Sequence, residues 1–265
     1  MYLSCLLIDV GNDPDRPRPG RLWLRNVYRV HQRLCMAFPS ASRKSHDADF
    51  LKPFKAEDFG QKQVHVNRGT DTGFIFRIDP QAGGRAVILV QSAVRPDWDY
   101  AFHNAGYLLA AKPEVKLFNP RFESGQRLRF RLLANSVRKV SRNSLDAKGN
   151  PLSQKWIGKD VPVPTTDLAK WLERRAEPGW SAPKNSEGKQ SRPGFRVVEI
   201  TAIEAGYVYV NKTSDQSGSR RVRSARYEGI LEVTNPDDFL NTLVSGIGPG
   251  KAFGFGLLSV ARVRP

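Results

Sequence analysis

The chain has 265 residues, and its 42 lysine and arginine residues against 26 aspartate and glutamate residues give a formal net charge of +16. Because 40% of the residues are apolar, the composition predicts a globular protein with a core. No stretch is long and apolar enough to span a bilayer, so the charge favours a nucleic-acid partner over a membrane. The two cysteines and four histidines lack the spacing of zinc sites, so neither a metal nor another cofactor is expected.

The first predicted element is a β-strand over residues 1–10. This segment lacks the basic start of a signal peptide and reaches Asp9 before any cleavage site, so we expect a cytoplasmic protein. Asn26 is then placed to cap a helix over 27–38, which Pro39 ends. The buried stripe of this helix is predicted from apolar residues at helical spacing, namely Val27, Val30, Leu34 and Phe38.

A hairpin follows a polar stretch at 40–70, which we expect to be a surface loop. The β-rich runs 74–78 and 86–91 are separated by 79–84, whose proline and glycines are typical of a hairpin turn. The order of elements up to this point is strand, helix, strand, strand.

A short helix and a further strand complete the first half. Residues 98–105 favour a helix, and the apolar run 107–111 favours a strand. The resulting order β-α-β-β-α-β is that of a ferredoxin-like unit, so we expect a first ferredoxin-like domain over residues 1–112. A linker at 113–125 then leads to the second half.

The second half repeats this order of elements. Basic and apolar residues alternate over 126–135 and predict a strand with one core face and one arginine face. The segments predicted after it are a helix at 165–176, a loop at 177–193, strands at 195–204, 206–213 and 221–234, a helix at 236–243 and a strand at 257–263. The last two strands before the final helix form a long hairpin. We therefore expect an α+β protein with a second ferredoxin-like domain over 113–265.

Positive charge is concentrated in the second half. Residues 121–159 contain ten lysine and arginine residues against two acidic ones, and the tip of the long hairpin is also basic. A solvated basic face is one explanation, and a nucleic-acid footprint is the other. The sequence shows neither a DNA-recognition helix nor the aromatic pattern of sheets that stack single-stranded RNA, so recognition of an RNA stem by shape is preferred.

A glycine-dense run lies near the C-terminus. Residues 246–258 contain five glycines and Lys251, but their spacing fits neither a P-loop nor a dinucleotide fingerprint. The missing side chains would let backbone N–H groups approach phosphate, while a tight turn is the simpler explanation for any one glycine. The residues predicted to bind RNA are Arg129, Arg131, Arg138, Lys139, Arg142, Lys155, Lys159, Lys212, Arg220, Arg221, Gly248, Gly250 and Lys251.

Tyr28 and His31 are the candidate catalytic residues. Their i, i+3 spacing places them on one face of the predicted helix. An imidazole with an ordinary pKa of about 6.5 exchanges protons at neutral pH, and in RNA the 2′-hydroxyl already supplies a nucleophile. These two side chains and nearby cations would be enough for in-line attack without a metal. A histidine that only satisfies its own hydrogen bonds is the structural alternative.

Four motifs occur in order along nearly the whole chain. They are Tyr28-x-x-His31, the basic strand 127–132 that leads to Ala134-Asn135, the segment 171–175, and the run 248–252 with Gly254-x-Gly256. Together they resemble the CasE family, the CRISPR repeat-processing endoribonucleases of type I-E systems. The resemblance implies two tandem ferredoxin-like domains, with His31 as the general acid and base and Tyr28 as its partner.

The resemblance also implies an activity and partners. It implies cleavage of precursor CRISPR RNA beside a repeat stem-loop without a metal, a 2′,3′-cyclic phosphate product, and retention of the guide within the Cascade complex with its other subunits. One departure is Met36, which stands where the family has a lysine, so the required cation would be Arg29, Arg33 or Lys251. The remaining alternatives are a non-catalytic RNA-binding subunit on the same fold and a protein that binds duplex DNA.

Overall fold

The structure, a computed structural model, describes residues 1–12, 18–38, 73–142, 144, 150, 153–177, 192–211 and 220–263. The first half contains, in order, β1 (Tyr2–Asp9), α1 (Pro19–Leu24), α2 (Val27–Cys35), β2 (Phe74–Gln81), β3 (Arg85–Ser92), α3 (Trp98–Ala101) and β4 (Glu114–Leu117). The second half contains β5 (Arg127–Ala134), β6 (Val137–Lys139), β7 (Asp160–Pro162), α4 (Leu168–Ala176), β8 (Phe195–Val210), β9 (Arg220–Val233), α5 (Pro236–Ser245) and β10 (Leu258–Arg262).

Within the described residues, each half builds a four-stranded antiparallel sheet with the same strand order. The first sheet is ordered β2-β3-β1-β4 and the second β10-β5-β9-β8. If the four strands of each sheet are numbered in chain order, both sheets have the order 2-3-1-4, with the second sheet read from β8 to β10. A two-stranded ribbon of β6 and β7 is inserted into the second half. The predicted mixture of helices and antiparallel strands is confirmed.

Each sheet buries one face against the helices of its own half. In the first half, Val30 and Leu34 of α2 are fully buried against Phe76 of β2. In the second half, Trp171 of α4 stacks on Tyr227 of β9 in a separate apolar cluster. Burying side chains of this size contributes about 1.5–3 kcal/mol each. The predicted apolar stripe of α2 is therefore the surface that fixes this helix on its sheet.

The end of the first half differs from the prediction. Residues 107–111 do not form a strand, since Gly106–Leu108 is a 3-10 turn and Leu109 makes one isolated bridge with Ile8. The strand is β4 at Glu114–Leu117, inside the segment predicted as a linker, and it pairs with β1. Because β4 is an edge strand with mostly exposed side chains, it lacks the apolar alternation by which strands are predicted.

The long hairpin is more regular than the sequence indicates. The two strands predicted at 195–204 and 206–213 are one continuous strand, β8, with irregular register after Val197 and Ile200. Gly206 lies inside it, opposite Ser224 of β9. The bulges absorb the shifts in alternation that resemble a break in the sequence.

Several smaller differences concern element ends. The hairpin turn of the first half is shorter than 79–84, because β2 continues through Pro80, which is tolerated on an edge strand. The helix predicted at 98–105 stops at Ala101, and the one predicted at 165–176 begins with a 3-10 turn, Thr165–Asp167. The short helix α1 and the ribbon β6–β7 were not predicted. The loop predicted at 40–70, and that at 177–193 except for its ends, lie outside the described residues.

A buried arginine joins the two halves. Arg77 on β2 is 3% exposed, and its guanidinium forms an ion pair with Asp79 at 2.8 Å. The same guanidinium donates to the Leu257 carbonyl oxygen at 3.2 Å and the Ser259 hydroxyl at 3.0 Å, both in the second half. A charge buried this deeply is stable only when it is paired and hydrogen-bonded. Arg77 therefore fixes how the second sheet sits on the first.

Candidate active site and basic surface

Helix α2 presents Tyr28 and His31 at the edge of its buried stripe. The Asn26 side chain caps the helix as predicted, because its Oδ1 accepts a hydrogen bond from the Tyr28 backbone N–H at 3.2 Å. Tyr28 and His31 are both half-buried, whereas Val27 and Val30 are buried. The helix thus holds the two candidate catalytic side chains side by side and partly open to solvent.

The imidazole of His31 packs against aromatic rings of β2. Its centroid lies 5.3 Å from that of Phe74 and 6.2 Å from that of Phe76, and the planes are nearly parallel. Its Nε2 lies 3.6 Å from the Sγ of Cys35, one turn further along α2. Burial raises the pKa of the Cys35 thiol to about 12, so at neutral pH an uncharged thiol faces the ring. The ring is therefore oriented by packing, without a nearby thiolate.

The long hairpin reaches the beginning of this helix. The Asn26 side-chain amide donates to the Asn211 carbonyl oxygen at 3.0 Å, and the Asn211 backbone N–H donates to Asn26 Oδ1 at 3.2 Å. Val208, near the same end of β8, packs on the apolar core of the first half. The far end of the hairpin is thereby docked at the N-terminus of α2.

Two predicted RNA-binding arginines lie at this docked end. Arg220 and Arg221 begin β9, are exposed, and pair in register with Val210 and Tyr209 of β8. The Arg221 guanidinium lies 4.3 Å from the centroid of the Tyr207 ring. The structure thus brings these cations to the same end of the molecule as Tyr28 and His31. Lys212, also predicted here, lies outside the described residues.

The glycine-dense run forms a loop that packs between the halves. All five of its glycines have positive φ, and Gly250 and Gly254 flank the 3-10 turn Lys251–Phe253 in left-handed conformations. That turn contacts α2 and β2, and a Cβ on Gly254 would lie 3.3 Å from the ring of Phe76. Backbone conformation and close packing thus account for the glycines, while the phosphate contacts of Gly248 and Gly250 stay a prediction.

Lys251 lies in the 3-10 turn that contacts α2. Its Nζ donates to the Gly248 carbonyl oxygen at 3.0 Å, so the ammonium is held by a neutral acceptor within its own loop. Lys251 therefore brings a positive charge to the loop that packs beside the candidate catalytic helix.

The arginine face of β5 is confirmed. Leu128, Phe130 and Leu132 point into the core, and the arginines between them point outward. Arg131 is partly neutralised, because its Nε lies 2.8 Å from the Oε1 of Glu228 on β9. Arg129 forms no ion pair within the described residues. The two predicted arginines therefore share a face but differ in available charge.

The ribbon β6–β7 collects a second set of predicted cations. Those that the structure places on or beside it, all exposed, are Arg138, Lys139, Arg142, Lys155 and Lys159. The Nζ atoms of Lys155 and Lys159 lie 5.9 Å and 5.5 Å from the centroid of Trp156, which is itself exposed. The Trp171 indole N–H anchors the ribbon by donating to the Val137 carbonyl oxygen at 2.9 Å. Part of the basic stretch predicted at 121–159 thus lies together on this ribbon and the turn beside it.

The candidate cations of this region differ in how their side chains are held. Arg33 is held on the far side of α2, where it donates to the Ala101 carbonyl oxygen at 3.0 Å and to Asn104 Oδ1 at 2.9 Å. Burial lowers the pKa of the Arg33 guanidinium. Arg29 is exposed, and Met36 is a core residue. Arg29 lies one helical turn before Arg33 and shares its face of α2, so Lys251, in the turn that contacts α2, is the candidate cation we consider for a phosphate near His31.

Several residues of this region were missed by sequence reasoning. The contact between Asn26 and Asn211 joins positions 185 residues apart. No periodicity connects them, since their approach depends on how the halves dock. Phe74, which lies under the His31 ring, was predicted only as part of a strand. Cys35 gave no signal beyond its i, i+4 spacing from His31.

Two features are absent from the described part of the chain. No three histidine, cysteine, aspartate or glutamate side chains there come together in a group suited to a metal ion. None of its helices combines the length and the apolar character needed to cross a bilayer.

Comparison with known proteins gives a consistent result. A family model described as CRISPR associated protein matches residues 1–262. The chain is 34% identical over 202 residues to the CRISPR-associated endoribonuclease Cse3 of Thermus thermophilus, which covers 74% of this chain and 84% of that protein. It is 27% identical over 266 residues to the CRISPR system Cascade subunit CasE of Escherichia coli K12, which covers 98% and 99% of the two chains.

A solved structure shares the fold. The structure of Thermus thermophilus Cse3 bound to an RNA representing a pre-cleavage complex superposes with a TM-score of 0.61 at 28% sequence identity. The match covers 98% of each chain. The similarity therefore includes both halves and their junction.

Proposed function

Since the chain belongs to the CRISPR-associated protein family, whose model matches residues 1–262, we propose that it is an endoribonuclease that cuts CRISPR repeat RNA beside its stem-loop. One observation supports this most strongly. The basic hairpin and the glycine-dense loop both come from the second half, and both meet the helix that carries Tyr28 and His31 in the first half. The proposed phosphate-binding surface of the second half thus lies beside the proposed proton-transfer group, His31.

The proposed chemistry is in-line attack of a 2′-hydroxyl on the adjacent phosphorus. The 2′-oxygen loses its proton and bonds to phosphorus, the bond from phosphorus to the 5′-oxygen breaks, and that oxygen gains a proton. The products are a 2′,3′-cyclic phosphate and a 5′-hydroxyl. The entering and leaving oxygens lie on opposite sides of phosphorus, so two groups serve better than one. His31 transfers the proton at one oxygen, and the Tyr28 hydroxyl transfers the proton at the other.

We assign to Lys251 the stabilisation of the negative charge that develops on the phosphoryl oxygens in the transition state. Its Nζ donates to the Gly248 carbonyl oxygen and its 3-10 turn contacts α2, so a phosphate held at His31 would lie beside a loop that carries a positive charge. Arg33 is committed to Ala101 and Asn104, and Met36 is uncharged. With these groups the reaction needs no metal ion.

The RNA stem is proposed to lie on the basic surfaces of the second half. The exposed arginine of β5 and the cations of the β6–β7 ribbon offer phosphate contacts without base-reading elements, which suits recognition of an A-form stem by shape. The predicted RNA-binding residues are proposed to contact phosphates of the RNA in this way. Because the relative in Escherichia coli is a Cascade subunit, we also propose that the protein keeps the processed guide within such a complex.

We further propose that each half is a ferredoxin-like domain. The equal strand orders of the two sheets support this, as does the β-α-β-β-α-β order of the main elements in each half. The division follows the predicted one near residue 112, moved past β4 because that strand belongs to the first sheet.

A cleavage assay in excess EDTA tests the activity. Repeat stem-loop RNA should be cut by the wild-type protein and should carry a cyclic phosphate end. His31→Ala should bind the RNA with unchanged affinity and fail to cut it. His103→Ala, which removes an exposed histidine from the same half, is the matched control and should cut normally. Cutting that survives in His31→Ala would contradict the assignment.

A non-catalytic RNA-binding subunit is the second candidate, since the His31 ring packs on Phe74 and Phe76 as a structural histidine would. It predicts tight RNA binding with no cleavage by any variant. The same assay therefore separates the two functions.

A further inference from the structure

The end of the long hairpin has two faces with different surroundings. Val208 of β8 points to the first half, where it packs on the apolar core. Successive residues of a strand point to opposite faces, so Tyr207 and Tyr209 point away from the first half. They lie directly opposite Arg223 and Arg221 of β9, which therefore share their face. We call these four side chains the outer hairpin face.

The outer hairpin face lies on the side of the second sheet that α4 covers. Tyr227 of β9 is four residues from Arg223, so both point to this side, and Tyr227 is buried there against Trp171 of α4. Arg223 donates to the Thr165 hydroxyl in the 3-10 turn before α4. Thr165 follows the end of β7 by three residues, which span at most about 11 Å. The outer hairpin face therefore adjoins the anchored end of the ribbon β6–β7, whose cations are proposed to meet the stem.

Two neighbouring tyrosines on this face are largely in contact with water. Tyr207 and Tyr209 are 52% and 55% exposed. Large apolar side chains that are grouped at a surface commonly mark a binding site. The Arg221 guanidinium lies 4.3 Å from the centroid of the Tyr207 ring, a cation–π contact that orients it. Tyr207 thus holds a cation, while the ring of Tyr209 offers a flat surface to a ligand.

The chemistry of the outer hairpin face suits single-stranded RNA. Its two charged residues are arginines, and no carboxylate of the described residues forms an ion pair with Arg221 or Arg223. Aromatic rings beside arginines are typical of proteins that bind single strands, because bases stack on the rings and phosphates meet the guanidinium groups. The bases of a stem are stacked on one another and paired. Only an unpaired base can therefore cover the ring of Tyr209.

We propose that the outer hairpin face binds an unpaired nucleotide of the RNA strand that flanks the stem. Its base stacks on Tyr209, and Arg221, oriented by Tyr207, meets an adjacent phosphate. The inference rests on the proposed function and adds a contact that holding a stem does not require. Because this face adjoins the ribbon β6–β7, a strand that leaves a stem held on the ribbon can reach it directly.

Removing the Tyr209 ring tests the site by comparing two RNAs. One is the stem-loop with its unpaired flanks and the other is the stem-loop alone, and the parent protein carries His31→Ala so that neither is cut. Tyr209→Thr removes the ring and keeps a side chain that favours strands. It should weaken binding of the flanked RNA by about tenfold, which is within the contribution of one base–aromatic stack. Binding of the stem-loop alone should not change, and Tyr209→Phe should bind both RNAs as the parent does.

Tyr107→Thr is the matched control, because Tyr107 is also a surface tyrosine, 66% exposed, and lies in the first half. It should bind both RNAs as the parent does. If Tyr209→Thr weakened binding of both RNAs equally, the ring would support the hairpin or contact the stem, and the inference would be wrong. Equal binding of the flanked RNA by Tyr209→Thr and its parent would also overturn it.

Arg221 tests the phosphate contact. Arg221→Gln should reduce the slope of log K against log salt concentration by about 0.7 for the flanked RNA, the value for one phosphate of a single strand. The slope for the stem-loop alone should stay the same. An equal change for both RNAs would place Arg221 on the stem and contradict the proposal.

Photocrosslinking identifies the occupant. With 5-iodouridine placed in turn at each unpaired position of the flanks, irradiation of the complex should attach one position to Tyr209. If the wild-type protein cuts the repeat RNA and no flanking position crosslinks to Tyr209, the inference fails and the proposed function stands. If a flanking position crosslinks to Tyr209 but the RNA is never cut, the face binds RNA and the proposed endoribonuclease function fails.

Discussion

Helices α2 and α4 occupy equivalent places in the two halves and differ in what they carry. Each has nine residues and follows the first strand of its sheet. The second and fifth residues are Tyr28 and His31 in α2, but Ala169 and Leu172 in α4. Leu172 is buried and has no proton to exchange, whereas His31 is half-buried. The shared architecture therefore does not specify chemistry, which we propose depends on two positions of one helix.

The largest expected effect comes from making α2 resemble α4. His31→Leu should lower the rate of RNA cleavage by about 10²–10⁴-fold, the usual contribution of general acid–base catalysis. Single-turnover cleavage and RNA binding should be measured together. Affinity should be retained, because the cations lie mostly on the second half. A parallel loss of affinity would show that His31 holds RNA instead of transferring a proton.

The junction between the halves should be the next most sensitive place. Arg77→Met leaves the buried Asp79 with Arg226, 3.5 Å away, as its remaining ion-pair partner among the described residues, so the free energy of unfolding should fall by about 3–5 kcal/mol. Urea denaturation measures this. Arg77→Met combined with Asp79→Leu should lose less, since no buried carboxylate remains. An unchanged unfolding midpoint in Arg77→Met would mean that the Arg77 ion pair does not hold the halves together.

Two helix caps sharpen the comparison further. Asn26 caps α2 and also binds Asn211, whereas Asn235 caps α5 by accepting from the Asp238 N–H at 3.0 Å. Either residue changed to alanine should lower the free energy of unfolding by about 0.5–2 kcal/mol. Only Asn26→Ala should also slow cleavage, because it releases the hairpin from α2. Equal cleavage rates in the two variants would separate the hairpin contact from catalysis.

The smallest effect concerns two exposed arginines on the second sheet. Arg129 forms no ion pair within the described residues, whereas Arg196 lies 2.9 Å from the Glu232 Oε1. Arg129→Gln should therefore reduce the slope of log K against log salt concentration by about 0.7–0.9, the value for one phosphate contact. Arg196→Gln should leave the slope nearly unchanged. Binding titrations across a salt series measure both.

The first helix and the arginine strand could be predicted because their signals are local. Asn26 precedes an apolar stripe of period 3.6, and residues 127–134 alternate with period two. Strand β4 escaped prediction because an exposed edge needs no apolar alternation. Pro80 was assigned to a turn because its acceptance in β2 depends on that strand being at an edge, which the sequence does not show.

The positions of the two candidate catalytic residues could be predicted from the sequence, whereas their surroundings could not. Tyr28 and His31 are identified by spacing within one helix, and the structure places both as expected. The ring beneath His31 and the Asn26–Asn211 contact both join segments that are distant in sequence. Such contacts follow from the packing of completed halves, so local patterns cannot reveal them.

The glycine-dense loop has a consequence for how freely this sequence can vary. Its five glycines, at 246, 248, 250, 254 and 256, have φ between +70° and +91°, where residues with a Cβ are strained. A randomised library over this loop, selected for folded protein, should return glycine at those five codons and tolerate other residues in between. Related sequences should therefore keep glycine at these five positions even if the loop does not contact RNA.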